Sequence, residues 1–273
     1  ERAIEIDSRM AKVGDMTHLV SELGFGRISF GVQDLDLTVG NSIGRIMDPE
    51  HLVNLAIEAR EAGATGINVD LLYGLPRQSS ATIAWTMRRI EREMVPARMA
   101  LYGYAHVSWM RPQQRRLERA GLPGPAERLE LFLTGLRCLS EAGYVAVGMD
   151  HFVKPEDSMR AARQAGTLNR KFMGYTTTDE ADLMALGASS IGQLTSGSQS
   201  IYIQNEVATK PYERALGGDA PQLATTRGYI ATPEDVLRGG VIKDILFLRQ
   251  IAMHFDGYFQ ARSESPNRYS ATV

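Results

Sequence analysis

The chain has 273 residues, of which 44% are hydrophobic and 23% are charged, and its formal net charge is −2. This length and composition predict one large α/β domain with a smaller appendage, and the balanced charge disfavours nucleic acid or an anionic membrane as the main partner. The apolar runs fall short of the roughly 18 residues that a membrane-spanning helix needs, and the amino end lacks a signal-peptide pattern, so we expect a cytoplasmic protein.

Five apolar runs each end in polar or ionisable side chains. The runs are Ala3–Asp7, Arg27–Asp34, Gly66–Asp70, Met99–His106 and Tyr144–His151. Helical periodicity follows each of the first four runs, a pattern that predicts repeated strand–helix units with parallel strands. Parallel strands deliver their last residues to one rim, as in the active sites of barrel folds. We therefore predict an α/β chain that forms a partial TIM-type barrel, with its candidate site at the carboxyl ends of the strands.

Four helices are predicted along the same stretch. They extend from about Ala11 to Leu23, from Pro49 to a stop at Gly63, from Ser80 to about Glu93 and from about Ala126 to Ala142. Asp48 is a suitable N-cap before Pro49, and Ser79 or Ser80 suits the start of the third helix. Gly24 and Gly143 follow predicted helices at the position typical of a C-cap glycine.

The regular alternation of predicted strands and helices ends after residue 151. Residues 155–180 are polar and broken, Leu183–Leu194 is interpreted as one last strand with its loop, and a helix is predicted from Pro233 to about Leu248. We predict a partial barrel at 1–195, a mainly helical carboxyl-terminal region at 196–261 and a disordered tail at 262–273. Because a strand-like segment begins within two residues of Glu1, we also expect the barrel to be truncated at its amino end, with its first strands missing.

Several familiar site motifs are absent from the sequence. It has no glycine-rich phosphate loop ending in lysine, no dinucleotide fingerprint, no His-Glu-x-x-His zinc helix and no nucleophile elbow. His106 and His151 both lie at the ends of apolar runs, but a lone histidine there more often contacts a substrate or a hydrogen-bond partner than a metal. We therefore expect no metal site built from them.

A set of acids, an amide and an arginine remains near the strand ends. Glu5, Gln33 and Asp70 lie at or near the ends of successive runs, so their side chains are predicted to converge on one ligand with hydroxyl and amine groups. Arg45, in the loop after the second strand, suits a bidentate contact with a carboxylate. Each residue alone is equally well explained as an ordinary polar loop residue. The coincidence of four favours a site.

At these positions the chain resembles the oxygen-independent coproporphyrinogen III oxidases, which are radical S-adenosylmethionine enzymes. The resemblance extends from Ala3 to about Phe247 and is carried by the segments Ala3–Asp7, Ile28–Asp34, Asn68–Pro76, Tyr104–His106, Gly148–Phe152 and Asn169–Thr177. The Asp70–Pro76 motif is shared with a wider group of radical enzymes, whereas Met149–Phe152 and Gly174–Thr177 are more specific to the oxidases.

The resemblance implies the oxidative decarboxylation of two propionates of coproporphyrinogen III to give protoporphyrinogen IX without dioxygen, in haem biosynthesis. In that family a 4Fe-4S cluster cleaves S-adenosylmethionine, and the resulting 5'-deoxyadenosyl radical takes a hydrogen from the propionate β-carbon. Carried over residue by residue, the resemblance assigns contacts with S-adenosylmethionine to Glu5, Gln33, Arg45, Asp70, Ala105 and Ile191. A tetrapyrrole substrate, an unidentified electron acceptor and a monomeric protein are further expectations.

The sequence departs from the family in the part that holds the cluster. The family's Cys-x-x-x-Cys-x-x-Cys loop and its glycine-rich segment are both absent, and the single cysteine, Cys138, lies in an apolar helical pattern as a predicted buried thiol. That cysteine also excludes an internal disulfide framework. We expect that this chain lacks the amino-terminal part of the enzyme and has no radical activity alone.

The residues that are predicted to bind the substrate lie in a different region of the sequence. Arg170, Tyr175 and Thr176 fall in the family-specific part of the chain and are predicted to contact the tetrapyrrole. His151 is predicted to contact the substrate or the radical site, and Asp150 orients its imidazole if a turn brings these adjacent side chains together. Two alternatives stay open: a haem-binding or haem-delivery relative, and a catalytically dead porphyrin-binding module.

Overall fold

The computed structural model describes residues 2–171, 174–177, 182–196, 199–217 and 223–246 of the chain. The chain divides into two compact units, residues 1–160 and residues 161–273. The predicted disordered tail at 262–273 lies outside the described residues.

A six-stranded sheet forms the centre of the first unit. Its strands are β1 (Ala3–Ile6), β2 (Arg27–Gln33), β3 (Gly66–Tyr73), β4 (Arg98–Gly103), β5 (Val145–Ala146) and β6 (His151–Val153). The strand order is β1-β2-β3-β4-β6-β5. Strands β1 to β4 are parallel, as their sequence pattern predicted, and the α/β class is confirmed. The described strands do not close into a barrel, and a partial barrel stays a prediction.

The fifth apolar run does not form the single parallel strand that we predicted. The chain bends at residues 148–150, so that β6 returns antiparallel both to β5 and to β4. The amide of Val147 donates to the carbonyl of His151 at 3.0 Å and closes this turn.

Helices connect the strands of this sheet. The α-helices are α1 (Asp15–Thr17), α2 (Leu37–Ile43), α3 (Pro49–Glu61), α4 (Ser80–Met94), α5 (Arg115–Ala120) and α6 (Pro125–Glu141). Helix α1 continues into a π-helical turn at His18–Glu22, and a 3₁₀ turn at Pro112–Gln114 precedes α5. A further helix, α7 (Ser158–Ala165), spans the division between the units. The predicted caps are confirmed for α3 and α4. The Asp48 carboxylate accepts from the amide of Glu50, and the Ser79 hydroxyl accepts from the amide of Thr82. The first predicted helix begins at Asp15 rather than near Ala11.

One face of the sheet packs against the helices and forms the core. Phe30, Val69, Met99 and Phe152 lie opposite one another on β2, β3, β4 and β6, and each is at most 2% exposed. Full burial of an apolar side chain of this size stabilises the fold by roughly 1.5–3 kcal/mol. The row therefore fixes the register of four strands. Because side chains alternate along a strand, the next residue of each strand points to the opposite face.

The second unit contains short strands and two further helices. Strands β7 (Asn169–Lys171) and β8 (Gly174–Thr176) pair antiparallel, and β9 (Ile191–Ser196), β10 (Gln199–Asn205) and β11 (Thr225–Ile230) form a three-stranded antiparallel sheet. Helices α8 (Thr209–Leu216) and α9 (Pro233–Leu246) complete this part. Within the described part of residues 196–261, the two helices are accompanied by β10 and β11, and the description of this region as mainly helical stays a prediction. The predicted strand at Leu183–Leu194 begins only at Ile191, and the proposed boundary at residue 195 falls inside β9.

Candidate active site

The polar face of the first unit's sheet carries the candidate site. Gly31, Asp70, Ala100 and His151 lie opposite one another on β2, β3, β4 and β6, one residue beyond the buried apolar row. The small Ala100 separates Asp70 from His151 on this face. Glu5 of β1 lies opposite Ser29 of β2, two residues before Gly31. Strand register alone therefore places two acids and a histidine on one surface.

Three of the predicted cofactor residues converge around Gly31. A Cβ atom built on this glycine would lie 3.4 Å from Gln33 Nε2, 3.5 Å from Arg45 Nη2 and 3.7 Å from Glu5 Oε1. Gln33 reaches this position through a register shift between β2 and β3 and a positive φ of 71°. Such a bulge redirects a side chain at some conformational cost, because a residue with a Cβ rarely adopts this backbone geometry.

Arg45 is held by an acid that sequence reasoning did not assign to the site. Its Nη1 and Nη2 atoms donate to the two carboxylate oxygens of Asp7, each at 3.1 Å, and Nη2 also donates to the carbonyl of Gly31. Hydrogen bonds from Arg9 and the charge of Arg45 lower the pKa of Asp7 to about 2. Arg45 thus makes its bidentate contact with Asp7, and the predicted contact with a ligand carboxylate stays a prediction. The Nε atom of Arg45 is buried without a hydrogen-bond partner.

Asp70 is an acid in an unfavourable environment. Burial and, to a lesser degree, the negative charge of Glu5 raise the pKa of Asp70 to about 6. The interaction with His151 and a long hydrogen bond from the Ser29 hydroxyl, at 3.4 Å, lower the pKa of Asp70 by a smaller amount. Since the unfavourable influences prevail, this carboxylate is poorly compensated by the protein itself. Perturbed acids of this kind cluster at functional sites.

The predicted pairing of Asp150 with His151 is present. His151 Nδ1 lies 2.8 Å from Asp150 Oδ1, because Asp150 belongs to the bend before β6 and is not constrained by strand alternation. The imidazole ring contacts Tyr102 edge-on, with ring centroids 5.6 Å apart. A carboxylate that contacts one ring nitrogen fixes the orientation of a histidine ring.

A buried hydrogen-bond network begins at Asp34, directly after Gln33, and sequence reasoning did not predict it. The Asp34 carboxylate accepts from Gln78 Nε2 and from the Thr86 hydroxyl, both at 2.7 Å, and burial raises the pKa of Asp34. Gln78 Oε1 in turn accepts from the amides of Gly74 and Leu75. The network ties the residue after Gln33 to the Gly-Leu-Pro turn and to α4.

The remaining predicted residues of the first unit lie in the loop after β4. Ala105 is exposed, and its carbonyl accepts from Gln114 Nε2 at 3.2 Å. His106 Nε2 lies 2.6 Å from Glu118 Oε1. Within the described residues, no group of three or more histidine, cysteine or acidic side chains is arranged to hold a metal ion.

The predicted substrate residues and Ile191 belong to the second unit. Arg170 lies over the ring of Tyr175 at 4.9 Å and donates to its hydroxyl at 3.1 Å. Thr176 lies opposite Asn169 across the β7–β8 pair, and Ile191 is the first residue of β9. Their roles in binding stay predictions.

Cys138 lies buried in α6, and burial raises the pKa of its thiol. A single thiol cannot supply the three thiolates of the family's cluster loop, so the residues of this chain do not fit a 4Fe-4S cluster. No helix in the described part of the chain is both long and apolar enough to span a membrane.

Comparison with known proteins confirms the resemblance seen in the sequence. No family model matches the chain. It is 35% identical over 268 residues to the oxygen-independent coproporphyrinogen III oxidase of Escherichia coli strain K12, covering 95% of this chain and 57% of that protein. It is 40% identical over 246 residues to the protein of the same name from Bradyrhizobium diazoefficiens, covering 90% of this chain and 53% of that protein. The chain thus spans little more than half the length of these relatives.

The fold agrees with this relationship. The solved structure of the Escherichia coli coproporphyrinogen III oxidase, described as a radical SAM enzyme, matches with a TM-score of 0.84 and 34% identity, covering 97% of this chain and 62% of that one.

Proposed function

We propose that this chain forms the S-adenosylmethionine-binding and substrate-binding part of an oxygen-independent coproporphyrinogen III oxidase, an oxidoreductase of haem biosynthesis. The observation that carries the proposal is the convergence of Glu5, Gln33 and Arg45 on Gly31, beside Asp70. The relatives named above favour this activity over a haem-delivery protein or a catalytically dead porphyrin-binding module. A partial barrel, the three-part domain division, a monomeric state and a cytoplasmic location are part of the same proposal.

The side chains around Gly31 fit S-adenosylmethionine. This cofactor presents ribose hydroxyls, an ammonium group, a sulfonium and a carboxylate. The carboxylates of Glu5 and Asp70 suit the hydroxyls and the positive groups, and the Gln33 amide both donates and accepts. The unpartnered Arg45 Nε offers a further donor. When bound, this cofactor would supply the radical chemistry, and the residues named here would hold it.

The protein's own residues would position the reactants. Asp150 holds the His151 ring through Nδ1 and thereby orients the imidazole that we assign to a contact with substrate. The Asp7–Arg45 ion pair fixes the guanidinium beside Gly31. An electron acceptor is required for the overall oxidation. Since the cluster does not fit the residues of this chain, we derive no chemical step from it.

Substitution of Gly31 by alanine tests the proposed cofactor site. The added Cβ would make ordinary van der Waals contacts at 3.4–3.7 Å, so the fold should persist while the cofactor's space is filled. We expect S-adenosylhomocysteine to bind the chain in a calorimetric titration, and the Gly31→Ala variant to bind at least about tenfold more weakly. Gly239→Ala is a matched control, because its Cβ would meet nothing within 4 Å.

The outcomes of this titration separate two failures. Equal binding by the Gly31→Ala variant would place the nucleoside elsewhere, and no binding by the unmodified chain would contradict the cofactor assignment. The radical activity is tested separately on the full gene product, by its iron and sulfide content and by anaerobic cleavage of S-adenosylmethionine.

A further inference from the structure

A basic and apolar segment follows β4 near the candidate site. We call Trp109–Arg119 the basic arm. Trp109 is 74% exposed and Met110 is 72% exposed, which is unusual for large apolar side chains that lie next to each other. The arm also exposes four arginines, at positions 111, 115, 116 and 119, within a chain whose net charge is −2. An apolar tip flanked by guanidinium groups is typical of a binding surface rather than of a solvated loop.

The positive charge of the arm is largely uncompensated. Its one acid, Glu118, lies 2.6 Å from His106, and Arg115 lowers the pKa of Glu118 less than this histidine does. Within the part of the chain that the structure describes, none of the four arginines forms a salt bridge. The arm therefore presents a positive potential to any anionic ligand that approaches it.

The arm is anchored beside the candidate site. Gln114 Oε1 accepts from the amide of Val107 at 2.6 Å, and Gln114 Nε2 donates to the carbonyl of Ala105. A Cβ atom built on Gly44 would lie 3.1 Å from Arg116 Nη2. Gly44 directly precedes Arg45, whose guanidinium group faces Gly31. The arm thus borders the polar face of the sheet.

We propose that the basic arm binds the substrate of the proposed oxidase, through the carboxylates and the apolar ring system of a tetrapyrrole. This inference rests on the proposed function and adds a substrate contact in the first unit. Arginine forms bidentate hydrogen bonds with carboxylates, and coproporphyrinogen carries four propionates around an apolar macrocycle. Trp109 and Met110 supply the contact with the macrocycle. A ligand that is both polyanionic and broadly apolar complements this surface.

Coproporphyrin III, the stable oxidised form of the substrate, is a direct probe of the arm. The chain has only two tryptophans, Trp85 and Trp109, so a Trp85→Phe variant leaves the fluorescence of Trp109 alone. We expect coproporphyrin III to quench this fluorescence strongly, because the bound porphyrin would lie against the indole ring. A porphyrin with two carboxylates should bind more weakly, and added salt should weaken both.

Charge reversal on the arm has a matched control elsewhere in the chain. Arg115→Glu/Arg119→Glu reverses two exposed charges four residues apart, and Arg88→Glu/Arg92→Glu does the same on the exposed side of α4. We expect the arm pair to weaken coproporphyrin III binding by about tenfold or more and the α4 pair to leave it within about twofold. Equal effects of both pairs would mean that net charge, and not the arm, attracts the porphyrin.

The titrations distinguish this inference from the proposed function. Porphyrin binding without quenching of Trp109 and without an effect of the arm pair would overturn the inference but retain the substrate class. S-adenosylhomocysteine binding without any porphyrin binding would contradict both the substrate class and the arm. If the basic arm bound an acidic protein but no porphyrin, it would be a protein-docking surface, and the inference would be wrong.

Discussion

The pH dependence of stability in an Asp70→Asn variant tests the electrostatics of the candidate site. The pKa of Asp70 is raised to about 6, mainly by burial and then by Glu5. Its ordinary value of 3.8 applies in the unfolded chain. The folded state therefore binds this proton more tightly than the unfolded state does. Stability from this group is fully present below pH 3.8 and is lost as the pH rises through 6.

The size of the effect follows from the pKa difference. A shift of this magnitude corresponds to about 3 kcal/mol of lost stability once both states are ionised. About 2 kcal/mol of this loss falls between roughly pH 4.5 and pH 7.5. Asparagine has nearly the same shape and does not ionise, so it removes this dependence. We expect Asp70→Asn to gain about 2 kcal/mol relative to the unmodified chain over that interval, whatever constant offset the amide introduces.

Urea unfolding of both proteins at the two pH values measures this difference. Glu61→Gln is a suitable control, because it removes an exposed carboxylate of α3. A stability difference between Asp70→Asn and the unmodified chain that stays the same at both pH values would refute the reasoning. It would mean that Asp70 is as well solvated as an ordinary surface acid.

Two further predictions concern the framework that carries the site. In Gly135→Ala the new Cβ would lie 2.5 Å from a methyl group of Leu101, so overpacking between α6 and β4 should lower the free energy of unfolding in urea by about 1–3 kcal/mol. In Arg98→Ala the nearly buried Asp157, whose side chain is 5% exposed, would lose its 2.8 Å ion pair. We expect that loss to cost about 3–5 kcal/mol in the same measurement, and a cost below about 1 kcal/mol would contradict it.

The first four strands were predictable because each is an apolar run that ends in polar residues and is followed by helical periodicity. The N-caps of α3 and α4 could also be predicted from the sequence, because the side chains of Asp48 and Ser79 accept hydrogen bonds from nearby helix amides. Pro49 suits the first position of α3. The fifth run failed because apolar composition does not reveal the direction of a strand. The bend at residues 148–150 makes β6 antiparallel, and only the pairing partner of His151 shows this.

The acids of the site were found from the strand-end rule, but their partners were not. Glu5 and Asp70 each lie at or near the end of a run, and a shared face of the sheet follows from their register. Asp7 ends the first run as well, yet its pairing with Arg45 depends on how the loop after α2 returns to β2. The positive φ of Gln33 likewise depends on tertiary contacts, because glutamine has no intrinsic preference for this conformation.

Three unfavourable features of the first unit coincide in one place. The raised pKa of Asp70, the positive φ of Gln33 and the unpartnered Nε atom of Arg45 all lie beside Gly31, whereas the opposite face of the same strands is closely packed. A fold selected for stability alone would not place the buried carboxylate of Asp70 beside the negative charge of Glu5. A ligand with positive charge and hydroxyl groups would satisfy them together. By linkage, its binding would lower the pKa of Asp70 and strengthen as the pH rises through about 6. The cost in stability and the proposed affinity for S-adenosylmethionine therefore have the same physical origin.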